Sequence, residues 1–360
     1  MTANPPIQYF LGANAPSGFY SLYPELLAPE RAQRIYILKG GPGCGKSTLM
    51  RRVGTRMEEE GLTPEYILCS GDPDSLDALV LPTLGAAIVD GTAPHVVEPK
   101  YPGVVEQYVN LGDCYDPASL APLRADIMSC MSGYKGCYQR AYRCLSAAAE
   151  ISDDMRACLL TDALSEKLAK RARGILAREL RRVKHAAPGQ TKQRFLGAVT
   201  HKGPLCLYET ALAQCERIYE LADNYGLAHA LLIHLLTGSL AAGLDVVVCP
   251  NPMAPERMAH LLIPQLSLAF LSSTAALPFP GTPYRRIRLD AMADQNLLRS
   301  CRPRFRFTKK VSAALVEEAV NSLAQAKSMH DDLEALYNPH VDFDRVDRIA
   351  QDVGDQILSL

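Results

Sequence analysis

Ile35-Tyr36-Ile37-Leu38-Lys39-Gly40-Gly41-Pro42-Gly43-Cys44-Gly45-Lys46-Ser47-Thr48-Leu49 decides how the rest of the chain is read. Ile35 to Leu38 is a short apolar run of the kind that forms a buried parallel strand. Gly40 to Ser47 then has the spacing G-x-x-x-x-G-K-S of a phosphate-binding P-loop. Glycines let such a loop turn tightly and bring backbone N–H groups against phosphate oxygens. Lys46 is the candidate cation for the β/γ-phosphates, and the Ser47 hydroxyl is a candidate Mg²⁺ ligand. Leu49, Val53 and Met57 recur at four-residue spacing, which predicts a helix that Gly61 stops. The positive end of that helix would point at the phosphates. Gly40, Gly41, Pro42, Gly43, Cys44, Gly45, Lys46, Ser47 and Thr48 are thus the expected nucleotide-binding residues. The bare pattern arises by chance in roughly one chain of this length in a hundred.

Composition sets outer bounds. The chain has 360 residues, 48% hydrophobic and 21% charged, with a formal net charge of −1. Two domains of ordinary globular composition are expected. The near-neutral balance disfavours a nucleic-acid partner. No basic-then-apolar leader and no apolar run of about 18 residues is present, so a cytoplasmic protein without a membrane span is expected. There are eleven cysteines and no C-x-x-C pair, so neither a zinc site nor a disulfide framework is expected. Cys130, Cys137 and Cys144 share one helical face and read as small buried hydrophobes.

The chain repeats itself. Phe10-Leu11-Gly12-Ala13, Gly18, Leu22 and Tyr23 match Phe195-Leu196-Gly197-Ala198, Gly203, Leu207 and Tyr208 (195 − 10 = 185). Arg34-Ile35-Tyr36 matches Arg217-Ile218-Tyr219 (217 − 34 = 183), and Pro82 matches Pro264 (264 − 82 = 182). An offset drifting by so little, with the segments in order, marks a duplication. The expected fold is α/β, with two tandem P-loop NTPase-like domains, residues 1–186 and 187–360. Each would have a mainly parallel sheet flanked by helices and a helical C-terminal extension. Glu65 to Cys69 and Ala86 to Val89 read as further strands, with an amphipathic segment around Ser75 to Leu84. Helices are expected from Ala118 to Lys184, with Ser119, Ser132 and Ser152 as caps. Ala186 to Gln190 reads as the linker, and the basic run Lys167 to Arg194 as a solvated helix face, with a phosphate or polyanion contact as the alternative.

Asp90 ends the strand at Val89, where a Walker B aspartate would ligate Mg²⁺ beside Ser47. Asp90-Gly91-Thr92-Ala93-Pro94-His95 lacks the glutamate that many motor ATPases place after that aspartate. His95, Asp72, Asp74 and Asp77 are the local candidates to activate a nucleophile, with His95 placed beside Lys46 and Asp90 in the catalytic set. Asp72 also reads as a helix N-cap. In the second copy Lys46 aligns with His229, Ser47 with Ala230, Gly45 with Ala228, Asp90 with Ser272, and Gly40 and Gly41 with Asp223 and Asn224. That copy reads as one that has kept the fold and lost nucleotide chemistry. With no N-K-x-D motif, adenine is the expected base.

The runs Leu38–Met50, Cys69–Asp77, Asp90–His95 and Tyr101-Pro102-Gly103 resemble a bacterial family of duplicated P-loop proteins, labelled ATPase or ATP-binding protein, over nearly the whole chain. The resemblance implies ATP binding at Gly40 to Thr48 and supplies no substrate. Some members keep a P-loop in the second half, and this chain departs there. The expected function is Mg·ATP binding with hydrolysis coupled to a change between the copies and to an unknown small-molecule or protein partner. One alternative is a small-molecule or nucleotide kinase with Arg124, Lys135, Arg140 and Arg143 on a helical lid. The other is a switch that binds ATP without turnover.

Overall fold

Residues 6–28, 30–181 and 187–360 are described by the computed structural model. The boundary between the two expected domains and part of the linker, at 182–186, lie outside the described residues. The first half runs β1 (Ile7–Tyr9), β2 (Gly12–Ala15), β3 (Gly18–Ser21), β4 (Arg34–Lys39), α1 (Lys46–Glu59), β5 (Glu65–Leu68), β6 (Leu76–Leu81), β7 (Ala86–Asp90) and β8 (Glu106–Asn110). It continues with α2 (Pro117–Leu120), α3 (Arg124–Leu159) and α4 (Asp162–Glu179). The second runs β9 (Thr191–Gln193), β10 (Gly197–Thr200), β11 (Gly203–Cys206), α5 (Tyr208–Gln214), β12 (Arg217–Ala222), α6 (Ala228–Ala241) and β13 (Val246–Asn251). It ends with β14 (Ala254–Ile263), β15 (Leu268–Ser273), β16 (Arg285–Arg288), α7 (Gln295–Ser300), α8 (Arg302–Tyr337) and α9 (Phe343–Leu358).

Each half builds a six-stranded sheet of the same order, β1-β5-β6-β7-β4-β8 and β9-β13-β14-β15-β12-β16. β6 and β14 run against their neighbours and the other strands are parallel, so both sheets are mixed. The segment expected to be amphipathic, Ser75 to Leu84, contains the antiparallel strand β6, whose six residues are all buried. The run Leu76 to Leu81 is too short for a helix and lies between two turns. A strand covered on both faces needs no polar alternation. α3 also differs from the cap-based reading. It is one helix of 36 residues with Ser132 and Ser152 inside it. The break comes at Thr161, whose hydroxyl accepts the N–H of Leu164 at 3.3 Å to start α4. Cys130, Cys137 and Cys144 lie along α3 only partly buried, and all eleven cysteines are free.

The duplication is geometric as well as sequential. Phe10 and its counterpart Phe195 exchange N–H···O bonds, both 2.9 Å. Asn14 donates from Nδ2 to the carbonyl of its own counterpart Val199 at 2.9 Å (14 + 185 = 199). Equivalent residues meet each other only near a two-fold axis. α3 and α8, both 36 residues long, pack antiparallel across the same axis, with Ala141, Leu145, Ala319 and Leu323 buried between them. Ser152 and Ser312 lie 3.0 Å apart, and Arg140 pairs with Glu318 at 2.5 Å.

Beyond these long helices each half gives its last helix to the other. α9 lays Val346, Ala350, Val353 and Ile357, spaced along one helical face, against the core that contains Leu49, Met50, Val53 and Met57 of α1. α4 lays Leu164, Leu168, Ala172 and Ile175 on the core that contains Leu231, Leu232 and Leu235 of α6. Matching tyrosines tether them: Tyr36 donates to Gln356 at 3.1 Å, and its counterpart Tyr219 reaches Glu179 at 2.5 Å. The halves are also joined by a buried ion cluster. Arg194, 1% exposed, donates to the carbonyls of Glu25 at 2.6 Å and Leu26 at 3.0 Å and to the Glu65 carboxylate at 3.4 Å. Burial alone would raise the Glu65 carboxyl. Lys192 and Arg194 outweigh it and hold the group below its ordinary range.

Two outcomes follow from this packing. Ile357→Ala should cost about 2–5 kcal/mol. Hydrogen exchange should rise in α1 and β4 of the first half while the second sheet stays protected, although Ile357 belongs to the second repeat in sequence. His260 on β14 is buried, and desolvation pushes its imidazole down to about 4. A histidine held neutral stabilises fully above its unfolded value of about 6.5 and loses that contribution as pH falls toward the folded value. Urea melts of wild type should therefore lose on the order of 3 kcal/mol between those pH values, and His260→Gln should flatten the dependence.

Candidate functional site

Residues 40–45 join β4 to α1 at the edge where the parallel strands of the first sheet end. Gly43 (φ 69°) and Gly45 (φ 81°) take left-handed backbone that only glycine adopts without strain. Gly45 is the N-cap of α1, and among the described residues no side chain accepts from the helix's first amides there. The loop therefore ends in unpaired donors at the positive end of a helix.

Lys46, the first residue of α1, bends back over the loop. Its Nζ donates to the carbonyls of Gly40 and Gly41, both at 2.8 Å, and sits 3.6 Å from Asp90 Oδ2. Both side chains are mostly buried, 13% and 12% exposed. Asp90 ends β7, which pairs directly with β4 and so delivers the carboxylate beside the lysine. Its Oδ1 accepts from the Thr92 N–H at 2.8 Å and the Thr92 hydroxyl at 2.6 Å. Ser47 Oγ accepts the N–H of Leu76 at 2.9 Å, which ties α1 to the start of β6. Cys44 is buried, and burial pushes its thiol up. Thr48 faces solvent. The structure thus brings together Gly40 to Ser47 and Asp90.

His95 lies elsewhere at the same edge. It is 7% exposed, with Nε2 3.4 Å from Asp77 Oδ2 and its ring against Phe19 and Tyr23. Asp72 caps a turn, accepting from the Asp74 N–H and the Ser75 hydroxyl, and β6 follows where a helix was expected. Asp74 is exposed and paired with Lys202 at 2.5 Å.

The second half also reaches the loop. Glu334, near the end of α8, accepts the Gly43 N–H at 3.2 Å. The Asn338 carboxamide oxygen occupies the space that a Cβ at position 43 would need. Tyr337 packs on Tyr115, whose hydroxyl donates to the Pro42 carbonyl at 2.7 Å. Lys327 of α8 lies 3.5 Å from Asp72. No local pattern marks Glu334, Lys327 or Asn338, because the two-fold packing of α8 on α3 is what carries them here.

The equivalent loop of the second half is one residue shorter, 223–227 against 40–45. This moves the register of α6. The Leu76 N–H to Ser47 bond is repeated by the Met258 N–H to His229 Nδ1 at 3.1 Å (76 + 182 = 258; 47 + 182 = 229). Buried Leu231, Leu232 and Leu235 likewise match Leu49, Met50 and Val53 at the same offset. His229 therefore replaces Ser47, and Ala228 replaces Lys46, which corrects the sequence alignment by one residue. Asp223, buried at the end of β12, accepts from the Tyr225 N–H at 3.2 Å and from the Ala228 N–H, the first of α6, at 2.7 Å. Burial raises this carboxyl, against the pull of those amides. A carboxylate of the chain's own thus caps the start of that helix.

No helix among the described residues is long and apolar enough to cross a membrane. The fold as a whole is α/β with two six-stranded mixed sheets flanked by helices. No protein-family model, no curated protein and no solved structure matches the chain.

Proposed function

We propose that the loop from Gly40 to Thr48 binds the phosphates of Mg·ATP, and that hydrolysis there is coupled to a change between the two halves. One contrast carries the reading. Among the described residues, the first half leaves the amides at the start of α1 without a side-chain acceptor and sets Lys46 over the loop carbonyls of Gly40 and Gly41, whereas the second half places Asp223 at its helix start. A helix start left open and flanked by a lysine is suited to an anion. Lys46 would exchange the Gly40 and Gly41 carbonyls for the β/γ-phosphate oxygens and stabilise charge that develops on them.

The metal fits the donor set at hand. Ser47 and Asp90 offer oxygen only, from the first turn of α1 and the end of the neighbouring strand, as Mg²⁺ prefers. When bound it would neutralise phosphate charge. Coupling between halves rests on Glu334, which holds the Gly43 amide from the far half. An arriving phosphate competes with that carboxylate, so nucleotide binding would release the end of α8 from the loop. A switch without turnover is the second reading, favoured by the burial of His95 against Asp77, Phe19 and Tyr23.

The test is ATP binding and ADP release with Mg²⁺. Lys46→Ala should lose roughly 10²-fold or more in turnover. Wild type that binds ATP without releasing ADP would select the switch, and wild type that binds no ATP would overturn the assignment. Glu334→Gln should bind ATP several-fold more tightly than wild type in the same titration. Unchanged affinity would sever the proposed link between the loop and α8.

A further inference from the structure

Cys69, Asp77 and His95 come from three elements of the first half. Cys69 follows β5, Asp77 is the second residue of β6, and His95 follows β7 by a turn. The sheet edge brings one ligand atom of each within 4.8 Å of the other two. Asp77 Oδ2 and His95 Nε2 are 3.4 Å apart. That is the edge, about 3.4 Å, of a tetrahedron whose centre lies ~2.1 Å from each ligand. The Tyr23 hydroxyl donates to Asp77 Oδ2 at 2.9 Å, the outer hydrogen bond that orients a ligating carboxylate.

Hydrogen bonding alone accounts poorly for this group. Among the described residues no lysine or arginine pairs with Asp77, which is 4% exposed. His95 is 7% exposed, and among the described residues its Nε2 has only the 3.4 Å approach to Asp77. An imidazole and a carboxylate taken out of water need compensation. A divalent cation supplies it.

We propose that Cys69, Asp77 and His95 hold a zinc-class divalent ion in the first half. Thiolate, imidazole and carboxylate together select Zn²⁺ or Co²⁺ over the hard cations that suit Ser47 and Asp90. The Cys69 thiol gives up its proton on binding. The site is confined to the half with the open loop, since Asp77 and His95 correspond to Ala259 and Leu277 in the other (77 + 182 = 259; 95 + 182 = 277). The absence of a C-x-x-C pair does not bear on it, because the ligands are brought together by tertiary structure. The ion would pin the ends of β5 and β7 and the start of β6, and with them the turn that carries Asp90. It is independent of whether the loop binds ATP.

The test uses the full chain, loaded with Zn²⁺, passed through metal-free buffer and measured for metal, then reconstituted with Co²⁺. Wild type and Lys46→Ala should each retain about one zinc per chain, and the cobalt form should show a thiolate-to-metal charge-transfer band. Cys69→Ser should abolish that band, and Cys69→Ser and His95→Gln should each weaken zinc retention at least tenfold. Folded wild type with no retained zinc and no thiolate band overturns the proposal. So does zinc retained undiminished in both variants, which would move the ion to another group such as the partly exposed His330, Asp331 and Glu334. Should either variant fail to fold, the wild-type cobalt spectrum still decides.

Discussion

Neither half of this chain can bury its own central helix. The apolar face of α1 needs α9, and that of α6 needs α4, so each half finishes the other's core. An amphipathic helix left without its partner exposes the surface whose burial drives folding. The exchange therefore ties the stability of each half's core to a helix of the other. The two-fold relation between them follows, since two equivalent donors and two equivalent acceptors satisfy each other only across an axis. The paired long helices, the Phe10–Phe195 bridge and the Arg194–Glu65 cluster lie on or near that arrangement.

The symmetry of the scaffold makes the asymmetry of its loops informative. Strand order, the helix after the central strand and the tether from Tyr36 or Tyr219 are kept in both halves. At the loop they part. One side has two left-handed glycines, an uncapped helix and a lysine. The other is a residue shorter and closes on Asp223. An internal carboxylate satisfies the helix start permanently, at the cost of the vacancy an anion would need. Glu334 makes a comparable contact to the first loop, but from a different helix and to a single amide.

The edge of the first sheet concentrates charge that the core otherwise avoids. Lys46 offsets Asp90 at 3.6 Å, whereas Asp77 has the Tyr23 hydroxyl and one side of His95. Burial pushes the carboxyl of Asp77 and the thiol of Cys69 up. Their surroundings disfavour charge unless a cation joins them.

The sequence by itself determined a good deal. The glycine spacing from Gly40 to Lys46, the apolar strands of β4 and β7 and the constant offset between repeats were enough to give α/β architecture in two copies. They also placed Asp90 at the end of its strand. These are local signals, set by backbone conformation and by periodicity. Tertiary structure decided the rest. β6 was illegible because a strand buried on both faces loses the alternation that identifies strands. The one-residue shift that puts His229 in the place of Ser47 was hidden because adjacent leucines, Leu231 and Leu232, fit either register in sequence and only burial separates them. The contacts of Glu334, the exchange of α4 and α9 and the meeting of Cys69, Asp77 and His95 join residues far apart in the chain. Nothing local encodes such distances. They are fixed by which apolar faces must be covered, and that is settled only when both halves have folded against each other.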